Sequence, residues 1–344
     1  MSSIKDIAKK AGVSIGTIDR VLHGRGRVSE NTRLRVQRIV ADIGYRPNIY
    51  ARNLSLAKVF QFGVLMPRPN QDSGFWRIPM RGIDRARMEM EPAKVKVRYY
   101  HFDRYSERSF ERAFRQALNE KLDGLLIAPV LPKIAKTLVA SIPSRIPFVF
   151  FDSTIPGSGF LATISQDPFQ SGLLAANLMK WMRCSEGTIA VIKVIPEDFH
   201  INERLRGFQS GIGSFTSLRL RVYEADSHGG EGTFRNLAQK ILQENADLKG
   251  VYVSNAWTHP FASYFHQEIS GRKICMVGYD LVSENQRCLE SGKIDFLISQ
   301  RPGMQGYEGI RTLYRHVILR DNVKKAIRVP LDIITKDNVK YYQD

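Results

Sequence analysis

Apolar positions recur at helical spacing through residues 3–45, and then the rhythm changes. Ile4, Ile7, Ala8 and Ala11 fall on one helical face, behind a capping box formed by Ser3 and Asp6. Gly12 breaks that pattern and suits a left-handed turn. Ser14 caps a second helix with Ile18, Val21 and Leu22 facing inward and Gly24 at its end. Ser29 caps a third, with apolar positions Leu34, Val36, Ile39, Val40 and Ile43, closed by Gly44. Two short helices joined by Ala11-Gly12-Val13 predict a helix-turn-helix, and the third helix completes its small core.

Pro47 stops the third helix, so residues 47–58 read as a linker. Asn48 can cap one short, basic helix there, Ile49 to Leu56, with Leu54 and Leu56 on its surface. From residue 59, short apolar runs alternate with amphipathic stretches. The runs are Phe62–Met66, Val95–Tyr100, Gly124–Ala128, Pro147–Phe151, Thr188–Val194, Leu218–Tyr223, Gly250–Val253, Lys273–Val277 and Phe296–Ser299. Helical patterns fill most intervals, among them 168–182, 202–213, 230–244 and 303–319. That alternation predicts an α/β domain with parallel sheets. Nine runs exceed one comfortable sheet, so two doubly wound lobes are expected, with a cleft at the carboxyl ends of their strands. The expected division is a head at 1–46, a hinge at 47–58 and a ligand-binding domain at 59–344. The first lobe takes 59–165 and 296–327, the second 166–295 and 328–344.

Composition narrows the function. At 344 residues, with 43% hydrophobic and 25% charged side chains, the chain has material for several cores. No apolar run approaches a membrane span, and the N-terminus MSSIKDIAKK lacks the apolar core of an export signal. Cys184, Cys275 and Cys288 have no metal-ligand spacing and are odd in number, which points to a reducing cytoplasm. Residues 1–60 hold twelve Lys/Arg against four Asp/Glu, a net +8 of the chain's +17. Such density favours a polyanionic partner, although a solvated basic face would look the same.

The segment IKDIAKKAGVSIGTIDRVLHGRGRVSENTRLRVQRIVADIGYRPNIYARNL resembles the DNA-binding head of the lac repressor/galactose repressor family. Its A-G-V-S turn, T-I-D-R-V-L helix, G-R-V-S-E-N-T-R segment and G-Y-R-P-N-x-x-A-R-x-L segment carry the likeness. The resemblance implies a recognition helix whose Ser14, Ile15, Gly16, Thr17, Asp19 and Arg20 meet operator DNA. Arg20 is suited to guanine O6 and N7, Ser14 and Thr17 to phosphate. Ile15 and Gly16 stand where the family sets operator preference. Asp19 either accepts from cytosine, pairs with Arg20, or is a helix-surface charge. Beyond the head, the resemblance implies that Asn48, Tyr50 and Arg52 contact DNA and that Leu54 wedges into a base step. The alternative for Leu54 is packing on the large domain.

The remainder resembles the type I periplasmic sugar-binding fold. The resemblance implies ligand contacts from Phe75, Trp76, Asp152, Asp167, Arg204, Asn255, Asp280 and Gln300, nearly all just past a strand. Carboxylates, a bidentate guanidinium, amides and stacking rings suit sugar hydroxyls. Singly, each has a structural alternative: Asp280 could cap a helix and Arg204 could pair with an acid. Asp198 and His200 precede Arg204 in a loop suited to ligand selectivity, with His200 read first as solvated. The expectation is a cytoplasmic, homodimeric transcription factor, associated with the nucleoid when bound to double-stranded operator DNA. It would respond to a small effector, a sugar or sugar derivative, with no cofactor, no metal, no membrane partner and no enzymatic activity. The competing class is a solute-binding protein for transport, which would need an export signal where the basic head stands.

Overall fold

The computed structural model describes residues 4–22, 28–42, 58–182, 186–194, 198–213, 217–225, 230–268 and 274–342. The chain forms two compact units, residues 1–58 and 59–344. In the first, helices α1 (Ile4–Ala11), α2 (Ile15–Leu22) and α3 (Glu30–Asp42) close on Ile7, Ala8, Ala11, Ile18 and Val36. The caps follow the sequence: Ser14 Oγ accepts from Thr17 N at 3.2 Å and Ser29 Oγ from Thr32 N at 3.4 Å. Gly12 turns the chain at φ +61. Leu34 departs from expectation, being 55% exposed. It lies two residues before Val36, on the far side of α3 from the stripe Val36–Ile39–Val40. The expected ends at Gly24 and Gly44 and the hinge contacts Asn48, Tyr50, Arg52 and Leu54 lie outside the described residues.

The second unit holds strands β1 (Phe60–Pro67), β2 (Val95–Phe102), β3 (Gly124–Ile127), β4 (Phe148–Phe151) and β5 (Ala162–Ser165), then β6 (Gly187–Val194), β7 (Leu218–Ala225), β8 (Leu248–Val253), β9 (Cys275–Tyr279) and β10 (Phe296–Ser299). Two short strands follow, β11 (Ala326–Arg328) and β12 (Asp332–Ile334). Between them run α4 (Arg77–Glu89), α5 (Glu107–Leu118), α6 (Pro132–Val139), α7 (Pro168–Trp181), α8 (Phe199–Ile212), α9 (Gly230–Glu244), α10 (His259–Glu268), α11 (Ser283–Glu290) and α12 (Pro302–Val317). The sheets are ordered β11-β5-β4-β3-β1-β2 and β12-β10-β9-β8-β6-β7, parallel apart from the antiparallel β10–β12 pair.

All nine apolar runs are strands. The three missed ones, β5, β11 and β12, mix polar with apolar residues over three or four positions and do not stand out as apolar runs. The lobe boundary needs correction. Residues 296–299 were expected in the first lobe, yet β10 pairs with β9 and β12 in the second sheet, and the chain returns to the first lobe with α12. Arg328, assigned to the second lobe, still pairs in the first sheet. The inner strands β3, β4, β8, β9 and β10 of the two sheets are the same kind of buried apolar run, so no local signal marks which sheet β10 joins.

Within the second lobe, alternate residues of β6 serve two cores. Ile189 and Val191 pack with α7 and α8, Ala190, Ile192 and Val194 with the opposite layer. Helices α7 and α8 touch backbone to backbone. A Cβ on Gly172 would lie 1.9 Å from the Arg204 carbonyl oxygen, and one on Gly207 would lie 1.9 Å from that of Phe169. The Gly207→Ala variant must therefore push the helices apart, at a cost of about 1–3 kcal/mol. Thermal denaturation measures it, and an unchanged midpoint would show that α8 can shift freely.

Candidate functional site

The two lobes present their strand ends to a shared cleft that opens to solvent. From the first lobe, the β1 loop supplies Asp72, Phe75 and Trp76, the end of β2 Arg104, and the end of β4 Asp152. From the second, the β6 loop and α8 supply Asp198, His200 and Arg204, β8 supplies Asn255 and Trp257, β9 Asp280 and β10 Gln300.

Asp152 and Asp280 occupy equivalent places in the two sheets. Each follows the third strand from the β11 or β12 edge, and each has left-handed backbone, φ 67 and φ 63. Each donates its N–H to the neighbouring strand, Asp152 to Ile164 O at 3.2 Å and Asp280 to Ile298 O at 3.1 Å. Side chains lock both turns: Gln305 Oε1 accepts from Asp152 N at 2.8 Å, and Asn285 Nδ2 donates to Asp280 O at 3.1 Å. Left-handed backbone costs a non-glycine residue about 1–2 kcal/mol, less for Asp. Two such residues at matching strand ends aim two carboxylates at one space.

Arg104 ties the lobes together. Its Nε donates to Asp72 Oδ2 at 3.3 Å, and its Nη2 pairs with Asp198 Oδ2 of the opposite lobe. Asp72 also accepts from Trp76 Nε1 at 2.7 Å and Tyr105 OH at 2.8 Å. A second link, Ser73 Oγ to His259 Nε2 at 2.8 Å, also crosses between the lobes. Arg204 lies over the Tyr279 ring, 3.8 Å from its centroid. It donates to Ser254 O at 2.7 Å and Gln300 Oε1 at 3.0 Å, and Gln300 Nε2 donates on to Asp280 Oδ2 at 3.0 Å.

Burial sets the protonation of this site. Desolvation pushes the Asp152 carboxyl up to about 7, against the pull of Arg204 and with a push from Asp198 and Asp280. Desolvation likewise raises Asp198 to about 6, although Arg104 opposes it. His200 is held well below its usual value, first by burial and then by the charges of Arg204 and Arg104, so its imidazole is neutral.

Seven of the eight expected ligand residues line this cleft: Phe75, Trp76, Asp152, Arg204, Asn255, Asp280 and Gln300. Asp167 does not. Its carboxylate accepts from Gln170 N at 3.1 Å and caps α7, the ordinary use of Asp ahead of a helix that begins with proline. Trp76 is 2% exposed and meets Phe75 and Phe151 edge to face. The Asn255 side chain holds Val194 O and Trp257 N. His200 is buried and not solvated. Asp72, Arg104 and Trp257 were missed. Arg104 lies two residues past the end of β2, a strand-end position like those of Asp152, Asp280 and Gln300, and that position is the signal that could have found it. Among the described residues no group of His, Cys, Asp or Glu is arranged to hold a metal.

In the first unit, α2 leaves Ser14, Ile15, Gly16 and Arg20 exposed, Ile15 by 47%. Thr17 is half-buried, its hydroxyl 3.0 Å from Ser14 Oγ. The Asp19 side chain lies outside the described residues.

A helix-turn-helix unit followed in the chain by two doubly wound lobes around a polar cleft is the arrangement of a DNA-binding regulator with a binding-protein-like domain. The chain belongs to the family of the periplasmic binding protein domain, matched over residues 62–320, and carries over residues 3–48 the domain of bacterial regulatory proteins of the lacI family. Its N-terminal residues thus carry a lacI-family DNA-binding domain, and the curated proteins it is similar to are transcriptional regulators. The transcriptional regulator MalR of Streptococcus pneumoniae is 27% identical over 267 residues, 74% of this chain and 76% of that protein. Catabolite control protein A of Streptococcus mutans is 40% identical over 82 residues, 24% of each chain. A solved structure described as a LacI transcriptional regulator from Bacteroides fragilis superposes with a TM-score of 0.77 at 25% identity, over 83% of this chain and all of the other. The fold is shared with a solute-binding protein from Burkholderia graminis in complex with D-arabinose, TM-score 0.76 at 19% identity, over 84% and 99% of the two chains.

Proposed function

We propose that the chain is a cytoplasmic, homodimeric regulator whose affinity for an operator is set by a carbohydrate bound between its lobes. The observation that carries this reading is the cleft itself, where polar side chains from seven strand ends converge in a fold shared with sugar-binding proteins. Ligand contacts would come from Asp152, Arg204, Asn255, Asp280 and Gln300, with Phe75 and Trp76 as the apolar wall. A ligand bridging both lobes favours the closed arrangement, and residues 47–58 would pass that preference to the head. On the DNA side, the exposed Arg20 would read a guanine, Ser14 and Thr17 would hold phosphates, and Asn48, Tyr50, Arg52 and Leu54 would engage the operator centre.

The test begins with selection of operator sequences from random DNA by the full chain, followed by mobility shift with and without sugars. A sugar at 100-fold its dissociation constant also adds about 2.7 kcal/mol of stability in a thermal-shift screen. The Arg20→Ala variant is expected to lose about 1–3 kcal/mol on the cognate base pair and to relax preference at that position alone. Equal losses on every operator variant would make Arg20 a phosphate contact instead.

A further inference from the structure

The cleft has an unequal stock of charges. Four aspartates line it, Asp72, Asp152, Asp198 and Asp280, against two arginines. Both guanidinium groups are engaged by the protein. Arg104 joins Asp72 to Asp198 and also donates to Val130 O. Arg204 serves Ser254 O and Gln300 over the Tyr279 ring. In the amide orientation that satisfies its neighbours, Gln166 also accepts from Arg204 Nε at 3.1 Å. The Asp280 carboxylate accepts from the neutral Gln300 amide. The Asp152 carboxylate has neither a hydrogen bond nor an ion pair among the described residues, although Asp152 is buried, 6% exposed. His200, 8% exposed, also lines the cleft with its Nδ1 unpartnered, and so does the Nε1 of Trp257.

An ionised carboxylate in such a place is costly unless something compensates it. Resting on the carbohydrate reading of this cleft, we infer that the effector is a polyhydroxylated molecule bearing a protonated primary amine, an amino sugar or amino polyol. Its ammonium sits on Asp152 and faces Asp280, while its hydroxyls meet His200 Nδ1 and Trp257 Nε1. A purely neutral polyol leaves Asp152 to be neutralised by a proton, in keeping with the upward displacement of its carboxyl toward about 7. The groups facing Asp152 are Arg204, Asp198, Asp280 and Arg104, two cations already engaged and two further acids. A phosphate ester would add negative charge to a site that already has an excess of it.

The experiment is calorimetry on the full chain at neutral pH with matched probes. D-glucosamine, D-galactosamine and D-mannosamine are each compared with the parent hexose, the N-acetyl form and the 6-phosphate. At least one amine is expected to bind about tenfold or more tighter than its hydroxyl and N-acetyl counterparts, the difference between charge-assisted and neutral hydrogen bonds. The Asp152→Asn variant, which keeps size and tolerates left-handed backbone, should erase that preference, so that the amine and its parent hexose bind alike. If hexoses bind and no amine is preferred, the inference falls and the carbohydrate reading stands. An amine preference that survives Asp152→Asn also overturns it. If no probe binds, the inference falls, and the thermal-shift screen of sugars decides the carbohydrate reading by itself.

Discussion

Operator binding by this chain is expected to weaken by about 10³–10⁵-fold between 50 and 200 mM salt, as for a dimer making some 6–10 phosphate contacts. The cause lies in the first sixty residues, with twelve Lys/Arg against four Asp/Glu. Each phosphate neutralised by one of these side chains releases a condensed counterion, and added salt opposes that release. Among the head's cations, Arg20 is exposed on α2, whereas Arg33 is within 3.5 Å of Glu30 on α3. The slope of binding against salt concentration, measured by fluorescence anisotropy on the selected operator, checks the expectation. A flat response would mean that the basic head does not meet the DNA backbone.

The Arg104→Ala variant is expected to destabilise the larger unit by about 3–5 kcal/mol, because Asp72 and Asp198 would remain buried without their shared counter-charge. The loss should shrink in acid. Asp198 is raised to about 6 in the folded chain even with Arg104 beside it. A carboxyl whose folded pKa exceeds its unfolded value, about 3.9, contributes stability that is full below the unfolded value and disappears as pH rises through the folded one. Removing Arg104 lifts the Asp198 carboxyl further, so protonation rescues the variant at a higher pH than it would the parent. Denaturant unfolding of parent and variant at about pH 8 and about pH 5 measures this; a pH-independent deficit would show that Arg104 acts through packing alone. Asp152, raised to about 7, works in the same direction in the parent.

The head was legible in the sequence because its determinants are local. Ser14, Ser29 and Gly12 act on the turn in which they stand, and the stripe of Ile7, Ala8 and Ala11 along α1 follows from helical period alone. The same holds for nine of the twelve strands; seven of the eight cleft residues that the resemblance implied do line the cleft, most of them just past strand ends, where open α/β sheets hold ligands. What the sequence could not decide is which apolar run joins which sheet. β10 pairs with β9 in the second lobe because of long-range contacts that leave no mark on Phe296–Ser299 itself. Nor could it tell a capping aspartate from a cleft aspartate. Asp167 and Asp152 both follow a strand, but Asp167 turns back on the α7 amides while Asp152 is held left-handed by Gln305, a residue 153 positions away. The Arg104–Asp198 link joins residues 94 apart across two lobes, and it exists only once both sheets have closed on one cleft. Local chemistry sets helices, turns and strand ends; the pairing of distant charges is settled only when burial makes an unpaired one too costly to keep.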